Sequence, residues 1–145
     1  MWGKKTDNLI RFIDQDSLAA IVREAGYKAL VKSTEKGGEG YKGDAYIESA
    51  QSGWKTFITF FNKTDEGYTT VQFGLCLNDN ESKFGIEKMN EFNSQWRFIK
   101  GVINPDHSIK LQMDVDLNGG VSREYLVKRA SLWDDVLSSF GNFSR

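Results

Sequence analysis

The stretch Ser108-Ile109-Lys110-Leu111-Gln112-Met113-Asp114-Val115-Asp116-Leu117 has the most regular alternation in the chain. Its apolar residues occupy every second position, and polar residues fill the positions between them. Successive side chains of a β-strand point to opposite faces, so this strand is predicted to have one buried and one wet face. One-sided strands of this kind are typical of antiparallel sheets that are covered on one face only.

Strand patterns of the same kind recur along the chain, separated by turn residues. The period changes to two at Tyr27, and the glycine-rich stretch 33–44 that follows is predicted to be a flexible loop. Asn104-Pro105-Asp106 is a strong turn signal just before the most regular strand. The strands predicted before that turn are Tyr27–Lys32, Tyr46–Ala50, Trp54–Phe61, Tyr68–Leu77 and Trp96–Ile103.

A short helix is predicted near the N-terminus. Asp14 suits an N-cap, because its carboxylate can accept from the unpaired N–H groups of the first turn. Ile13 and Leu18 flank it as a hydrophobic staple, and Gly26 can adopt the left-handed conformation that ends a helix.

Two more helices follow. Ile86, Met89 and Phe92 are spaced for a middle helix over about Phe84–Asn93. Ser122 is the predicted cap of a final helix, with Val121 and Leu126 as its staple and Gly141 as its end. Since strands and helices do not alternate as βαβ units, the predicted fold class is α+β. We expect one domain over residues 1–145, a twisted and mainly antiparallel sheet of five to six strands, and a flexible N-terminus at residues 1–8.

Composition excludes several kinds of site. The chain has 145 residues, 19 Lys or Arg, 20 Asp or Glu, one Cys and one His. One Cys cannot form an internal disulfide, and one Cys with one His cannot close a zinc site. The near-neutral charge lacks the basic excess of nucleic-acid-binding proteins, and no apolar run is long enough for a membrane span or a signal peptide. We therefore expect a cytoplasmic protein with neither nucleic acid nor membrane as its partner.

Two motifs resemble ligand-binding loops. Gly38-Glu39-Gly40-Tyr41-Lys42-Gly43 spells a dinucleotide fingerprint, but it precedes a predicted strand instead of opening a helix, so we interpret it as a hairpin loop. Asp114, Asp116 and Asn118 match the start of a calcium-binding loop, but Tyr125 stands where the bidentate Glu belongs. The more economical interpretation is a solvated strand edge followed by a turn.

No catalytic set is assembled in the sequence. A nucleophilic thiol needs a base, and His107, the only histidine, belongs to a predicted turn, whereas Cys76 belongs to a strand. Cys76 is interpreted as a semi-buried structural residue. We therefore predict no catalytic residues, no metal site and no cofactor.

The stretch Asn90–Phe98 has the most unusual local composition, with asparagines, an arginine and three aromatic residues. In one interpretation the Asn side chains bridge the backbone and the aromatic rings fill the core. In the other, Asn90, Asn93, Trp96 and Arg97 form a partner-binding corner where Arg97 grips a carboxylate or phosphate. Both interpretations remain open at this point.

The same stretch resembles the YbjN family of small bacterial proteins. The resemblance rests on Asn90-Glu91-Phe92-Asn93, on Arg97-Phe98, on the Asn104-Pro105-Asp106 turn, and on Leu111–Leu117 running into Gly119-Gly120-Val121. It covers about residues 13–140, more loosely before Trp54, and Phe92 stands where the family usually has Trp.

The resemblance implies a fold like that of type III secretion chaperones, which often dimerise, and a role as a sensory transduction regulator. Some of those chaperones hold an extended partner in apolar grooves. No catalytic residues of the family are transferred. Our leading hypothesis is a non-enzymatic homodimer that binds a protein or peptide. A small-ligand or metal sensor using Asp114, Asp116 and Asn118 or Arg97 is the alternative, and an enzyme is the third.

Overall fold

Three helices and six strands form the computed structural model, which describes residues 8–33, 44–78 and 84–143. In chain order they are α1 (Gln15–Glu24), β1 (Lys28–Lys32), β2 (Tyr46–Gln51), β3 (Trp54–Thr64), β4 (Gly67–Leu77), α2 (Ile86–Gln95), β5 (Ile99–Ile103), β6 (Ile109–Asp116) and α3 (Arg123–Phe143).

The strands form one sheet in the order β1-β2-β3-β4-β6-β5, and every neighbouring pair is antiparallel. Strands β1 and β5 are the two edges, because each pairs with one neighbour only. The predicted α+β class is confirmed. The closer likeness to type III secretion chaperones stays a prediction.

One face of the sheet carries the core. The residues of β6 alternate as predicted, with Ile109, Leu111, Met113 and Val115 buried against the helices and Asp114 and Asp116 exposed on the other face. The centre of α3 packs on this buried face, where the ring of Trp133 lies 6.2 Å from that of Phe73. The opposite face of the sheet has no helical layer among the residues that the structure describes.

Phe140 joins three parts of the chain inside the core. Its ring lies 6.2 Å from Trp54 at the start of β3, 5.1 Å from Phe84 ahead of α2, and 5.3 Å from Phe92 within α2. The prediction that Gly141 ends the last helix is wrong, since α3 continues to Phe143. Gly141 is not among the glycines with positive φ, so it continues the helix that holds Phe140 in place.

Buried polar side chains fix α3 on the β2–β3 hairpin. Gln51 donates from Nε2 to the carbonyl of Ala130 at 3.1 Å, and its Oε1 accepts from the Thr56 hydroxyl at 3.3 Å. In the hairpin turn, the exposed Ser52 hydroxyl donates to Oδ1 of Asp134 at 2.7 Å. Buried polar groups cost free energy unless they are paired, so the bonds of the buried Gln51 specify one position of the helix on the sheet.

The predicted helix caps are confirmed. The Asp14 carboxylate accepts from the Ser17 amide at 2.8 Å, and Ile13 and Leu18 beside it are buried. The hydroxyl of Ser122 accepts from the Tyr125 amide at 3.0 Å. Gly26 has φ +100°, the conformation predicted for the end of α1.

Several predicted boundaries shift. Strand β5 begins at Ile99 and not at Trp96, because Trp96 still caps α2 with an N–H bond to the Asn93 carbonyl at 3.4 Å. Helix α2 lies two residues later than predicted at both ends. Strands β3 and β4 meet at a two-residue turn and not over 62–67 as predicted. Of the flexible N-terminus predicted at residues 1–8 and the loop predicted at 33–44, residues 1–7 and 34–43 lie outside the described residues, whereas Asn8, Ser33 and Asp44 are exposed.

The cap of α1 gives a test of local stability. Replacing Asp14 with Ala removes the bond to Ser17, and we expect the free energy of unfolding to fall by about 1 kcal/mol. That bond lowers the pKa of Asp14. The stabilisation is therefore present above the unfolded-state pKa of about 3.9 and is lost as pH falls through the folded-state pKa. Urea denaturation at neutral and acidic pH measures the difference, and Asp16→Ala in the same turn is the control.

Candidate functional site

The four residues of the predicted binding corner lie in α2 and in the connection from α2 to β5. Asn90 and Asn93 belong to the helix, and Trp96 and Arg97 belong to the connection. Trp96 closes the helix, Arg97 and Phe98 form a bend, and Ile99 starts the strand. Both Trp96 and Phe98 lie beside α3, because Trp96 shares a cavity with its C-terminal half and Phe98 contacts Arg129 in its N-terminal half.

Asn93 holds the edge of the sheet. Its Oδ1 accepts from the Gly101 N–H at 2.8 Å, and its Nδ2 donates to the Gly101 carbonyl at 3.0 Å. An edge strand leaves the N–H and C=O of alternate residues unpaired, and one side-chain amide here pairs both groups as a neighbouring strand would. A Cβ at Gly101 would collide with Sδ of Met89, so the glycine permits the close approach of α2.

The other three predicted residues have different surroundings. Asn90 is exposed on α2, Arg97 is exposed in the bend, and Trp96 is half-buried. Asn93 thus follows the structural interpretation of this stretch. The binding roles of Asn90, Trp96 and Arg97 stay predictions. Among the described residues, only Asn93 of these four pairs with the backbone of Gly101.

An exposed stack of side chains extends this corner. The guanidinium of Arg129 lies 4.8 Å from the centre of the Phe98 ring and 4.8 Å from that of Tyr125. Phe98 is 61% exposed although it is large and apolar. We name Trp96, Arg97, Phe98, Tyr125 and Arg129 the corner surface. Trp, Tyr and Arg are the residues most enriched where protein interfaces concentrate their binding energy.

A cavity of about 480 Å³ opens beside the corner surface. It is lined by Trp96 and by four polar residues of α3, namely Asp135, Ser138, Ser139 and Asn142. Nε1 of Trp96 is shielded from solvent and has no hydrogen-bond partner within the described ranges. A buried indole N–H without a partner is uncommon in folded proteins.

Sequence reasoning missed the contribution of α3. Tyr125 and Arg129 are four residues apart, which places them on one helix face, and that spacing was the available signal. One sequence interpretation placed Phe98 among the core aromatic residues, yet its ring is exposed. Phe98 belongs to the bend before β5, which begins at Ile99, and its ring lies against Arg129.

The calcium-like motif is distributed over a strand and a turn. Asp114 accepts from the Gln72 amide at 2.8 Å, and Asp116 accepts from the Asn118 N–H at 2.9 Å. In the part of the chain that the structure describes, no cluster of three or more His, Cys, Asp or Glu could hold a metal ion. The dinucleotide-like stretch 38–43 lies outside the described residues.

Cys76 differs from the sequence prediction, whereas His107 agrees with it. Cys76 is exposed and not semi-buried, because it lies on the open face of β4 opposite Lys110. His107 is in the predicted turn and has φ 68°, which is rare for a residue with a side chain. Searched over the described residues, no helix is both long enough and apolar enough to cross a membrane.

One comparison with known proteins identifies a family. The model of the YbjN family, described as "Putative bacterial sensory transduction regulator", matches residues 14–143, nearly the whole chain. Neither the curated proteins nor the solved structures contain a match.

The pairing of Asn93 with Gly101 can be tested with a matched pair of variants. Asn93→Ala leaves the Gly101 N–H and C=O unpaired, and we expect it to lower the free energy of unfolding by about 2 kcal/mol in urea denaturation. Asn90→Ala changes the same residue type on the same helix and is expected to stay within about 0.5 kcal/mol of the wild type. Similar losses in both variants would contradict the role assigned to Asn93.

Proposed function

Because the chain belongs to the YbjN family, we propose that it is a non-enzymatic, cytoplasmic regulator that binds a protein or peptide partner at the corner surface. The family description supplies the regulatory role. The corner surface supports the mode of action, because an exposed Phe98 packed on an arginine is the feature of this region that folding does not require.

The chemistry of the corner surface favours a particular partner. The Phe98 ring offers apolar area, and the Arg129 guanidinium lies over both the Phe98 and the Tyr125 ring. Arg97 adds a second exposed guanidinium next to Phe98. A partner that presents an apolar side chain beside a carboxylate would match both features, since arginine binds carboxylates through paired N–H groups.

The stack also lowers the cost of binding. Ordering a long side chain at an interface costs about 0.5–1.5 kcal/mol. Arg129 is held between Phe98 and Tyr125 before any partner arrives, so less of that cost remains. Such preorganised aromatic and arginine residues favour a specific interface over a nonspecific one.

The non-enzymatic part of the proposal rests on the family description, which names a regulator.

A small-ligand sensor is the second candidate. The cavity beside Trp96 favours it, because the polar side chains of α3 that line it offer hydrogen bonds to a small polar molecule. A ligand in this cavity would touch Trp96 and α3 together, and so could change how the corner surface is presented.

The proposal of a homodimer is tested by light scattering on the purified chain. A dimer gives twice the chain mass of 16.5 kDa. A mass of one chain over the whole concentration range would contradict the dimer without affecting the proposed binding surface.

Site-specific photocrosslinking in the native host tests the corner surface. A photoreactive phenylalanine analogue at position 98 is expected to form a discrete crosslinked product with the partner. The additional substitution Arg129→Ala should reduce that product severalfold, because it removes the cation between the rings.

The analogue at position 61 is the matched control, since Phe61 is also exposed but lies on β3 on the open face of the sheet. Equal products from both positions, or no product from position 98, would contradict binding at the corner surface. A small ligand in the cavity would give no crosslinked protein at either position.

A further inference from the structure

The two edge strands of the sheet, β1 and β5, differ in how side chains pair with their outward backbone groups. At β5 the outward N–H and C=O of Gly101 are both paired by Asn93. At β1, Arg23 of α1 donates from Nε and Nη2 to the carbonyl of Ala29 at 3.0 and 2.6 Å. The Arg23 contact covers one carbonyl and supplies no acceptor for an N–H group, so among the described residues Ala29 of β1 is less fully paired than Gly101 of β5.

The direction of the β1 backbone follows from these bonds. The Ala29 carbonyl points away from β2, because it is met by a side chain of α1 and not by the neighbouring strand. Residues two apart on an antiparallel strand direct their N–H and C=O groups to the same side. Val31 therefore directs both groups outward, and among the described residues nothing pairs with them.

The side chains of this edge are also exposed. Leu30 is 56% exposed and Val31 38%, which is unusual for apolar residues on an edge strand. Lys28, Leu30 and Lys32 alternate onto the open face, the face without a helical layer. Beside them a groove of about 310 Å³ has Leu30, Ala50 and Trp54 among its apolar lining.

The charge on this edge is positive although the chain carries a formal charge of −1. Lys32 and Lys55 both contact Glu48, whose carboxylate lies 3.1 Å from Nζ of Lys55 and 3.7 Å from Nζ of Lys32. Lys28 is exposed and has no ion pair within the described ranges. Among the described residues of this edge, the three lysines Lys28, Lys32 and Lys55 thus outnumber the one carboxylate that pairs with any of them.

A second copy of the chain fits this edge poorly. Antiparallel pairing of two β1 strands over all five residues would centre on Leu30 and place Lys28 opposite Lys32 at both ends. Like charges directly opposite each other destabilise a strand pair. An incoming strand with carboxylates at those positions would be stabilised by the same lysines.

We propose that the β1 edge binds an extended acidic peptide segment by strand addition, with carboxylates opposite Lys28 and Lys32 and an apolar side chain opposite Leu30. The segment pairs its backbone with the outward N–H and C=O of Val31. Its motif is acidic-x-apolar-x-acidic, because alternate residues share one face. This surface lies at the opposite edge of the sheet from the corner surface and does not depend on it.

The test uses the full chain and a fluorescein-labelled peptide, Thr-Glu-Thr-Leu-Thr-Glu-Thr, in an anisotropy titration. The peptide reads the same in both directions, so it presents its carboxylates to the lysines in either orientation. Binding is expected, and replacing both Glu residues of the peptide with Lys should weaken it by at least about tenfold, because two attractive pairs become repulsive. The protein variant Lys28→Glu with Lys32→Glu should reverse this preference.

N-methylated peptides test the backbone pairing without changing the protein. In an antiparallel addition the two inner threonines direct their N–H groups to β1, so methylating both should abolish binding, whereas methylating the Leu nitrogen should leave it within about twofold. Equal losses from both peptides, or no binding of the unmodified peptide, would overturn the proposal.

Val31→Pro gives the corresponding change in the protein. It removes an N–H that points outward and is expected to weaken binding by about tenfold while the β1–β2 pairing remains, since edge strands tolerate proline at such positions. Phe98→Ala with Arg129→Ala should leave peptide binding unchanged, which separates this edge from the corner surface. A dimer in light scattering that Val31→Pro dissociates would show that a second copy occupies the edge, and would overturn the acidic peptide.

Discussion

The contact of Phe140 with three other aromatic rings is the constraint on which the rest of the structure depends. It joins α3 to Trp54 at the start of β3, to Phe84 ahead of α2 and to Phe92 within α2. With that ring buried, the C-terminal half of α3 lies beside the α2–β5 bend, where it lines a cavity together with Trp96. The position of the corner surface is therefore a consequence of core packing, although its own residues are exposed.

The sequence predicted the elements better than their neighbours in space. Alternation in β6 and the caps Asp14 and Ser122 are local signals, and each was confirmed because one turn or one strand contains all the groups involved. Asn93 could be assigned only with the structure, since its partner Gly101 lies across the bend on another element. The contribution of α3 to the corner surface depends on packing between residues far apart in the chain, and no local pattern encodes that distance.

The edges of the sheet indicate where this protein can accept a partner. At β5 the side-chain amide of Asn93 pairs both outward groups of Gly101, the middle residue of the strand, and so blocks strand addition at that residue. At β1 only the Ala29 carbonyl is paired by a side chain among the described residues, and the strand instead carries exposed lysines. Charge of this kind deters copies of the same chain and leaves the edge open to acidic segments.

The Asn93–Gly101 pairing also has a consequence for the order of folding. Its partners are eight residues apart, and β5 and β6 are joined by a short turn, so α2, β5 and β6 can associate with little loss of chain entropy. The bonds from Gln51 and Ser52 to α3 instead join residues 79 and 82 positions apart. We expect the α2–β5–β6 unit to form early and the docking of α3 onto the β2–β3 hairpin to limit the folding rate, because contacts distant in sequence close slowly.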